Sequence, residues 1–450
     1  MAGYRERSID ELYKSDPERA DAVVLGRETA VSRRGFLGGT GLAATSVAVG
    51  GAIPFAAGVP GGMMPAAFAQ SAPAAPAAPA APKGPQFLKF PGKSDKLVVL
   101  GERPLVAETP ESQLDDDTTP TEKFFVRNNG TLPEETREPD KWKLVIDGEV
   151  ENKLELTLGE LKQKFKPVTR RLVLECGGNG RSFFTPQARG NQWTNGGVGC
   201  AEWTGVRLAD LLKAAGVKSS AVFTGHYGAD RSLSDPNKDA LSRGVPIAKA
   251  MDRNNLVVFA MNGEPLSNIH GGPLRLIVPG WPGSVSAKWF TRLWVRDKYH
   301  DGPGMGATSY RVAIKPMVPG ERPVDGNFRD IESMPVRSII TSPANGAKLA
   351  AGTREVALRG AAWAGDLTVR RVDVSTDFGA TWTRAKLARP KNKYDWQRWT
   401  ATVTLPSDGY YEVWTRATDS KGTAQPHQAG FWNPQGYGAN PMHRIAVLVA

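Results

Sequence analysis

Beyond Ser333 the chain almost stops offering helix signals, and this constrains its architecture more than any other feature. Val336-Arg-Ser-Ile-Ile-Thr-Ser-Pro, Glu355-Val-Ala-Leu-Arg-Gly, Val369-Arg-Arg-Val-Asp-Val-Ser, Trp399-Thr-Ala-Thr-Val-Thr-Leu and Tyr410-Tyr-Glu-Val-Trp-Thr-Arg-Ala-Thr alternate apolar and polar residues between turn residues. Side chains on a strand alternate between its two faces, so such segments bury one face each. The spacing predicts an all-β immunoglobulin-like sandwich over 331–450, without the cysteine pair of true immunoglobulin domains. Upstream, 87–330 mixes strands with short helices. Trp142–Val150 reads as strand and turn, Leu172–Glu175 as a buried strand, and Leu274–Gly280 as a strand entering a turn. Val206–Gly216 places Leu208, Leu211 and Leu212 on one helical face and closes on a glycine cap. The fold class expected is therefore α+β with mixed sheets, followed by the sandwich.

The N-terminal residues carry an address. Ser32-Arg-Arg-Gly-Phe-Leu37 precedes a Gly/Ala-rich apolar run without charge until Lys83, and Ala67-Phe-Ala69 offers a small-x-small cleavage site. That combination reads as a twin-arginine signal over 1–69, implying export of a folded protein to the periplasm. A membrane anchor is disfavoured by Gly38, Gly39, Gly41, Gly50, Gly51 and Pro54, so no stable membrane span is expected. The Pro/Ala-rich stretch within 70–86 reads as a linker. The formal charge of +11, from 57 basic and 46 acidic side chains, suits an anionic ligand. It forms no basic block, which argues against nucleic acid as partner.

Chemistry-bearing residues gather around Cys176. In Val173-Leu-Glu-Cys-Gly-Gly-Asn-Gly-Arg181 an apolar strand breaks into a glycine-rich loop, where a thiolate could ligate a metal or act as nucleophile beside Arg181. A lone cysteine at a strand end is more often just a small buried residue. Cys200 reads as structural, and spacing alone permits a Cys176–Cys200 disulfide in an exported protein. Phe124-Phe-Val-Arg-Asn-Asn-Gly130 ends a strand with Arg127, either a fork for an oxyanion or an exposed arginine at a hairpin. His270-Gly-Gly-Pro-Leu-Arg275 and Gly283-Ser-Val-Ser-Ala-Lys-Trp289 place cations beside glycines, a combination suited to phosphate.

Taken in order, these motifs, with Trp203-Thr-Gly-Val-Arg-Leu, Met261-Asn-Gly-Glu-Pro-Leu and Val278-Pro-Gly, resemble the sulfite oxidase family of molybdenum–molybdopterin enzymes. The resemblance implies that Cys176 is the thiolate ligand to molybdenum. It places Phe125, Val126, Asn128, Asn129, His270, Arg275, Ser286 and Lys288 at pterin positions. Arg127 and Tyr310 stand beside the substrate, and Arg181, Arg189 and Trp193 line its approach. Asp230 departs from the family spacing and is not carried over. Asn129 stands where many members have histidine, and Gln435 where the well-known sulfite oxidases have arginine. No heme motif occurs, so electrons are expected to pass to an external cytochrome c.

The resemblance thus implies oxidation of sulfite, or a related sulfur oxyanion, to sulfate at a Moco centre, in a homodimer. A molybdenum subunit acting on carrier-bound sulfane sulfur or thiosulfate shares the core. So does a methionine sulfoxide reductase, against which the sandwich tail counts. An exported sandwich-type binding protein is the reading without chemistry.

Overall fold

Three antiparallel or mixed sheets surround the Cys176 loop, as seen in a computed structural model that describes residues 84–450. The signal region and nearly all of the linker fall outside the described residues. The first sheet orders Glu264–Pro265, Leu256–Met261, Val198–Arg207 and Val168–Glu175, with Arg275–Ile277 also paired to Leu256–Met261. The second orders Leu154–Thr157, Lys143–Gly148, Phe290–Arg296, Phe223–Gly228 and Ser242–Arg243; only the pairing of Lys143–Gly148 with Phe290–Arg296 is parallel. The third joins Val98–Glu102, Leu105–Glu108 and Val126–Arg127.

The buried strand expected at Leu172–Glu175 extends over Val168–Glu175. Its period of two divides the core: Leu172 and Leu174 pack with Phe124, Phe125, Trp193 and Trp203, whereas Val173 packs with Cys200, Ile339, Trp363 and Trp396. Each fully buried side chain of this size contributes about 1.5–3 kcal/mol. The helix expected at Val206–Gly216 is Leu208–Ala215. Val206 and Arg207 remain in the strand because they pair with Val257 and Leu256. Gly216 takes φ +69° at the C-cap, with Glu151 Cβ only 3.1 Å from where its own Cβ would stand.

The C-terminal segment forms two sheets. One orders Arg337–Ser342, Glu355–Trp363, Gln397–Thr404 and Lys386–Leu387. The other orders Ala347–Leu349, His443–Val449, Gly409–Asp419, Val369–Ser375 and Thr383–Arg384. Val356, Leu358 and Val403 from the first meet Val372, Val374, Val413, Ile445 and Val447 from the second in one buried core. Among the described residues no helix is long and apolar enough to cross a membrane.

Candidate active site

The Cys176 loop opens where Val168–Glu175 loses its pairing partner. Cys176 N–H still donates to Gly197 O at 2.8 Å, and its carbonyl accepts from Asn179 N–H at 2.9 Å. At Gly177 an added Cβ would stand 3.2 Å from Pro282 Cβ and in ordinary contact with the Tyr437 and Tyr310 rings, so the loop packs closely here. Cys176 and Cys200 are both free thiols, so the disulfide that spacing permitted does not form. Cys200 is wholly buried and donates to Asp395 Oδ1 at 3.4 Å; burial pushes its thiol up, and no metal role attaches to it.

Cys176 lines a cavity of the folded chain. Phe125, Arg127, Asn128, Asn129, Arg275, Ser286, Lys288 and Tyr310 share its wall. The wall thus carries four basic side chains, Arg127, Arg243, Arg275 and Lys288, against the single carboxylate Asp230. Arg127 ends a two-residue strand paired with Val106 rather than turning a hairpin, and its Nη1 donates to Asn128 O. Lys288 Nζ donates to Asn128 Oδ1 at 2.6 Å and Ile269 O at 2.7 Å. Burial, reinforced by Arg275, holds the Lys288 ammonium well below its ordinary range. Burial likewise brings Arg275 down to about 9 and lifts Asp230 to about 6. Tyr310 adopts φ +50°, and its hydroxyl donates to Asn129 Oδ1 at 3.4 Å.

The remaining expected residues lie outside this wall. Val126 packs in a core with Leu88, Leu97, Ala107 and Ile269, because it alternates with Phe125 and Arg127 along the strand. The His270 ring stacks edge-on to Phe124, with its Nε2 3.0 Å from Lys93 Nζ. Trp193 is fully buried behind Phe125, ring centroids 5.9 Å apart. Arg189 is exposed, and its backbone N–H donates to Pro434 O at 3.3 Å. Arg181 directs Nε to Gln435 O at 2.7 Å and Nη1 to Asn191 O at 2.8 Å, while its guanidinium covers the Tyr437 ring.

Sequence reasoning did not single out Arg243, His226 or Lys93. His226 Nδ1–H donates to Val285 O at 2.8 Å, and burial takes the ring down to about 3, which keeps it neutral. Lys93 donates to Thr121 O and Phe124 O, and burial lowers it to about 7. None of the three sits in a motif. Arg243 and Lys93 are single polar residues whose partners lie far away in the chain, and His226 pairs both with nearby Thr224 and with distant Val285.

The cavity fits an anionic cofactor. Arg275 Nε and Ser284 Oγ are buried there without a protein partner, and such donors require an acceptor. At Gly228 a Cβ would stand 2.5 Å from Lys288 O and 2.8 Å from Asp230 Oδ1, so the wall admits backbone alone. The oxidoreductase molybdopterin binding domain model matches residues 129–304, and the Mo-co oxidoreductase dimerisation domain model matches residues 329–450. Mitochondrial sulfite oxidase of Homo sapiens is 33% identical over 374 residues, covering 80% of this chain and 67% of that protein. The chain belongs to the sulfite oxidase family of molybdenum enzymes.

Mitochondrial sulfite oxidase of Drosophila melanogaster is 35% identical over 366 residues, covering 77% of this chain and 62% of that protein. The crystal structure of the sulfane dehydrogenase SoxCD from Paracoccus pantotrophus superposes with TM-score 0.65 at 28% identity, covering 81% of this chain and 90% of that one. Within this family frame, Cys176 is the thiol available to molybdenum. Asn128, Arg275, Ser286 and Lys288 are the polar groups available to the pterin and its phosphate.

Proposed function

We propose that this chain is a periplasmic sulfite dehydrogenase, exported folded by a twin-arginine signal, that oxidises sulfite to sulfate and passes electrons to an external cytochrome c. The observation carrying this reading is the excess of basic side chains around Cys176 and Tyr310, three arginines and Lys288 against one carboxylate. Sulfite is a small dianion near neutral pH, and clustered guanidinium groups in a low-dielectric cavity concentrate and orient it. The overall change is sulfite plus water giving sulfate, two protons and two electrons. The bound molybdenum–pterin group supplies the two-electron oxygen transfer. Arg127 holds the oxyanion so that the sulfur lone pair faces the metal side of the cavity. Tyr310, kept beside Asn129, donates a hydrogen bond to the departing sulfate. We also assign the C-terminal sheets to an immunoglobulin-like sandwich supporting a homodimer, in keeping with the dimerisation-domain match at 329–450.

A second reading, oxidation of carrier-bound sulfane sulfur, is favoured by the likeness to the Paracoccus pantotrophus sulfane dehydrogenase and by Gln435 in place of arginine. The deciding experiment measures molybdenum on the purified protein. It then assays sulfite, thiosulfate and methionine sulfoxide, with cytochrome c as acceptor for the first two and reduced dye as donor for the third. Turnover of sulfite with cytochrome c supports the proposal; turnover of thiosulfate or the sulfoxide alone overturns it.

A further inference from the structure

Of the arginines expected near the substrate, only Arg127 faces the cavity. Arg181 is enclosed by Gly178, Gly190 and Gly436, each closer than 3.0 Å to one of its side-chain atoms when a Cβ is added, and two of its donors satisfy backbone carbonyls. Arg189 is exposed, and residue 435 is a neutral glutamine whose Nε2 lies 3.4 Å from Thr308 Oγ1. A site for a dianion would then have one guanidinium where the family pattern expects more.

Arg243 fills that gap. It ends the edge strand Ser242–Arg243, paired to His226 of Phe223–Gly228, and its side chain reaches the cavity wall at 2% exposure. The guanidinium carbon lies 4.8 Å from the centre of the Tyr310 ring. Nη1 donates to Gly304 O at 2.7 Å, whereas Nε is buried with no protein partner. Among the described residues no carboxylate lies within 4.0 Å of this guanidinium. A buried arginine with a structural role alone looks like Arg337, which has Glu175 as counter-charge and Asn195, Asn179 and Ala439 as acceptors. Arg337 Nε likewise lacks a directed hydrogen bond, so the missing counter-ion is what sets Arg243 apart, and burying a guanidinium without one is unfavourable unless an anion completes it.

We propose that Arg243 is a substrate-binding residue, the second guanidinium of the oxyanion site, reaching the substrate from the edge strand beside Tyr310. This rests on the reading of the substrate as a sulfur oxyanion. Arg127 and Arg243 then hold the anion jointly, and the packing against Tyr310 keeps the planar fork in one orientation. The arrangement favours compact anions over neutral sulfoxides, because a neutral ligand leaves the Arg243 charge uncompensated.

The test compares molybdenum-loaded wild type with Arg243→Met and Arg243→Lys. Sulfate affinity is measured by calorimetry, and the KM for sulfite by steady-state assay. Arg243→Met is expected to weaken sulfate binding and raise KM by about 10- to 150-fold, the range for one charge-assisted hydrogen bond, at wild-type molybdenum content. Arg243→Lys keeps the charge and should recover part of the loss. Equal sulfate affinity in wild type and Arg243→Met, or no sulfate binding by wild type, overturns the proposal. Sulfate binding that depends on Arg243 in a protein that does not oxidise sulfite overturns the substrate assignment but leaves Arg243 as the anion residue. If Arg243→Met does not fold, a crystal structure of the loaded protein with sulfate decides. A sulfate oxygen within about 3.2 Å of the Arg243 guanidinium supports the role, and sulfate seated in the cavity away from it refutes the role.

Discussion

Glu175 and Arg337 form a buried ion pair, Oε1 to Nε 3.0 Å, that joins the residue preceding Cys176 to the first strand of the C-terminal sheets. The Arg337 Nε–H does not point along this contact, so attraction between charges rather than a directed hydrogen bond holds it. Glu175 Oε2 accepts from Trp363 Nε1 at 2.7 Å and Oε1 from Asn179 Nδ2 at 3.0 Å. Asn179 Oδ1 in turn accepts from Gly197 N–H at 3.0 Å, so the network clasps the cysteine loop from both ends.

Removing one member of this pair leaves the other charge buried alone. Arg337→Met is expected to lower the free energy of unfolding by about 3–5 kcal/mol, whereas Glu175→Gln combined with Arg337→Met should recover much of that loss. Chemical denaturation of wild type and the two variants measures it. A loss below about 1 kcal/mol in the single variant would show that the pair does not organise the seam.

Cys176→Ser is expected to yield a folded protein that retains pterin and has lost sulfite oxidation. A serine oxygen is a harder donor than a thiolate, while Asn128, Arg275, Ser286 and Lys288 remain in the wall. Pterin fluorescence after release and steady-state turnover read the two arms. Turnover near wild type removes Cys176 from the mechanism.

Arg127→Gln keeps a hydrogen-bonding group and deletes a charge from the cavity wall. One charge-assisted hydrogen bond is worth about 1.5–3 kcal/mol, so the KM for sulfite should rise roughly 10- to 150-fold at unchanged molybdenum content. Some loss in kcat should accompany it, because a misdirected lone pair slows the transfer. Unchanged kinetics at full metal occupancy refute the role.

Glu108 supplies a pH dependence of stability remote from the cofactor wall. Burial raises its carboxyl to about 7, although Thr194 donates to it through N–H at 2.8 Å and Oγ1 at 3.0 Å. The folded state therefore holds this proton where the unfolded chain, with a pKa near 4.5, has released it. The contribution is fully present below about pH 4.5 and is lost as the pH rises through about 7, on the order of 3 kcal/mol in all. Glu108→Gln should remove this slope and leave the protein more stable than wild type above about pH 7. Unfolding curves at about pH 5 and pH 8 for both proteins check the sign.

The amino-acid order determined the elements whose causes are local. The break from Leu174-Glu175 into Gly177-Gly178 announced the cysteine loop, the leucine spacing with Gly216 announced the helix, and alternation beyond Val336 announced the strands. Nine of the expected site residues, from Phe125 to Tyr310, converge on one cavity. Boundaries slipped where a partner strand overrode local pattern, as at Val206 and Arg207, held in the sheet by Val257 and Leu256.

The direction of each charged side chain was decided only by tertiary structure. Arg181 stands five residues from Cys176 in the chain, yet carbonyls of Asn191 and Gln435, and spaces left by three glycines, turn it toward Tyr437. Arg243 occupies a two-residue strand with no motif around it and still reaches the cavity, because its strand pairs with Phe223–Gly228 at the edge of the second sheet. Glu175 meets Arg337 across 162 residues of chain. Turn chemistry and side-chain period act between neighbours and are written in order. Burial and charge pairing act between surfaces that meet only after the sheets have packed, so the folded chain alone determines which arginines face the cavity.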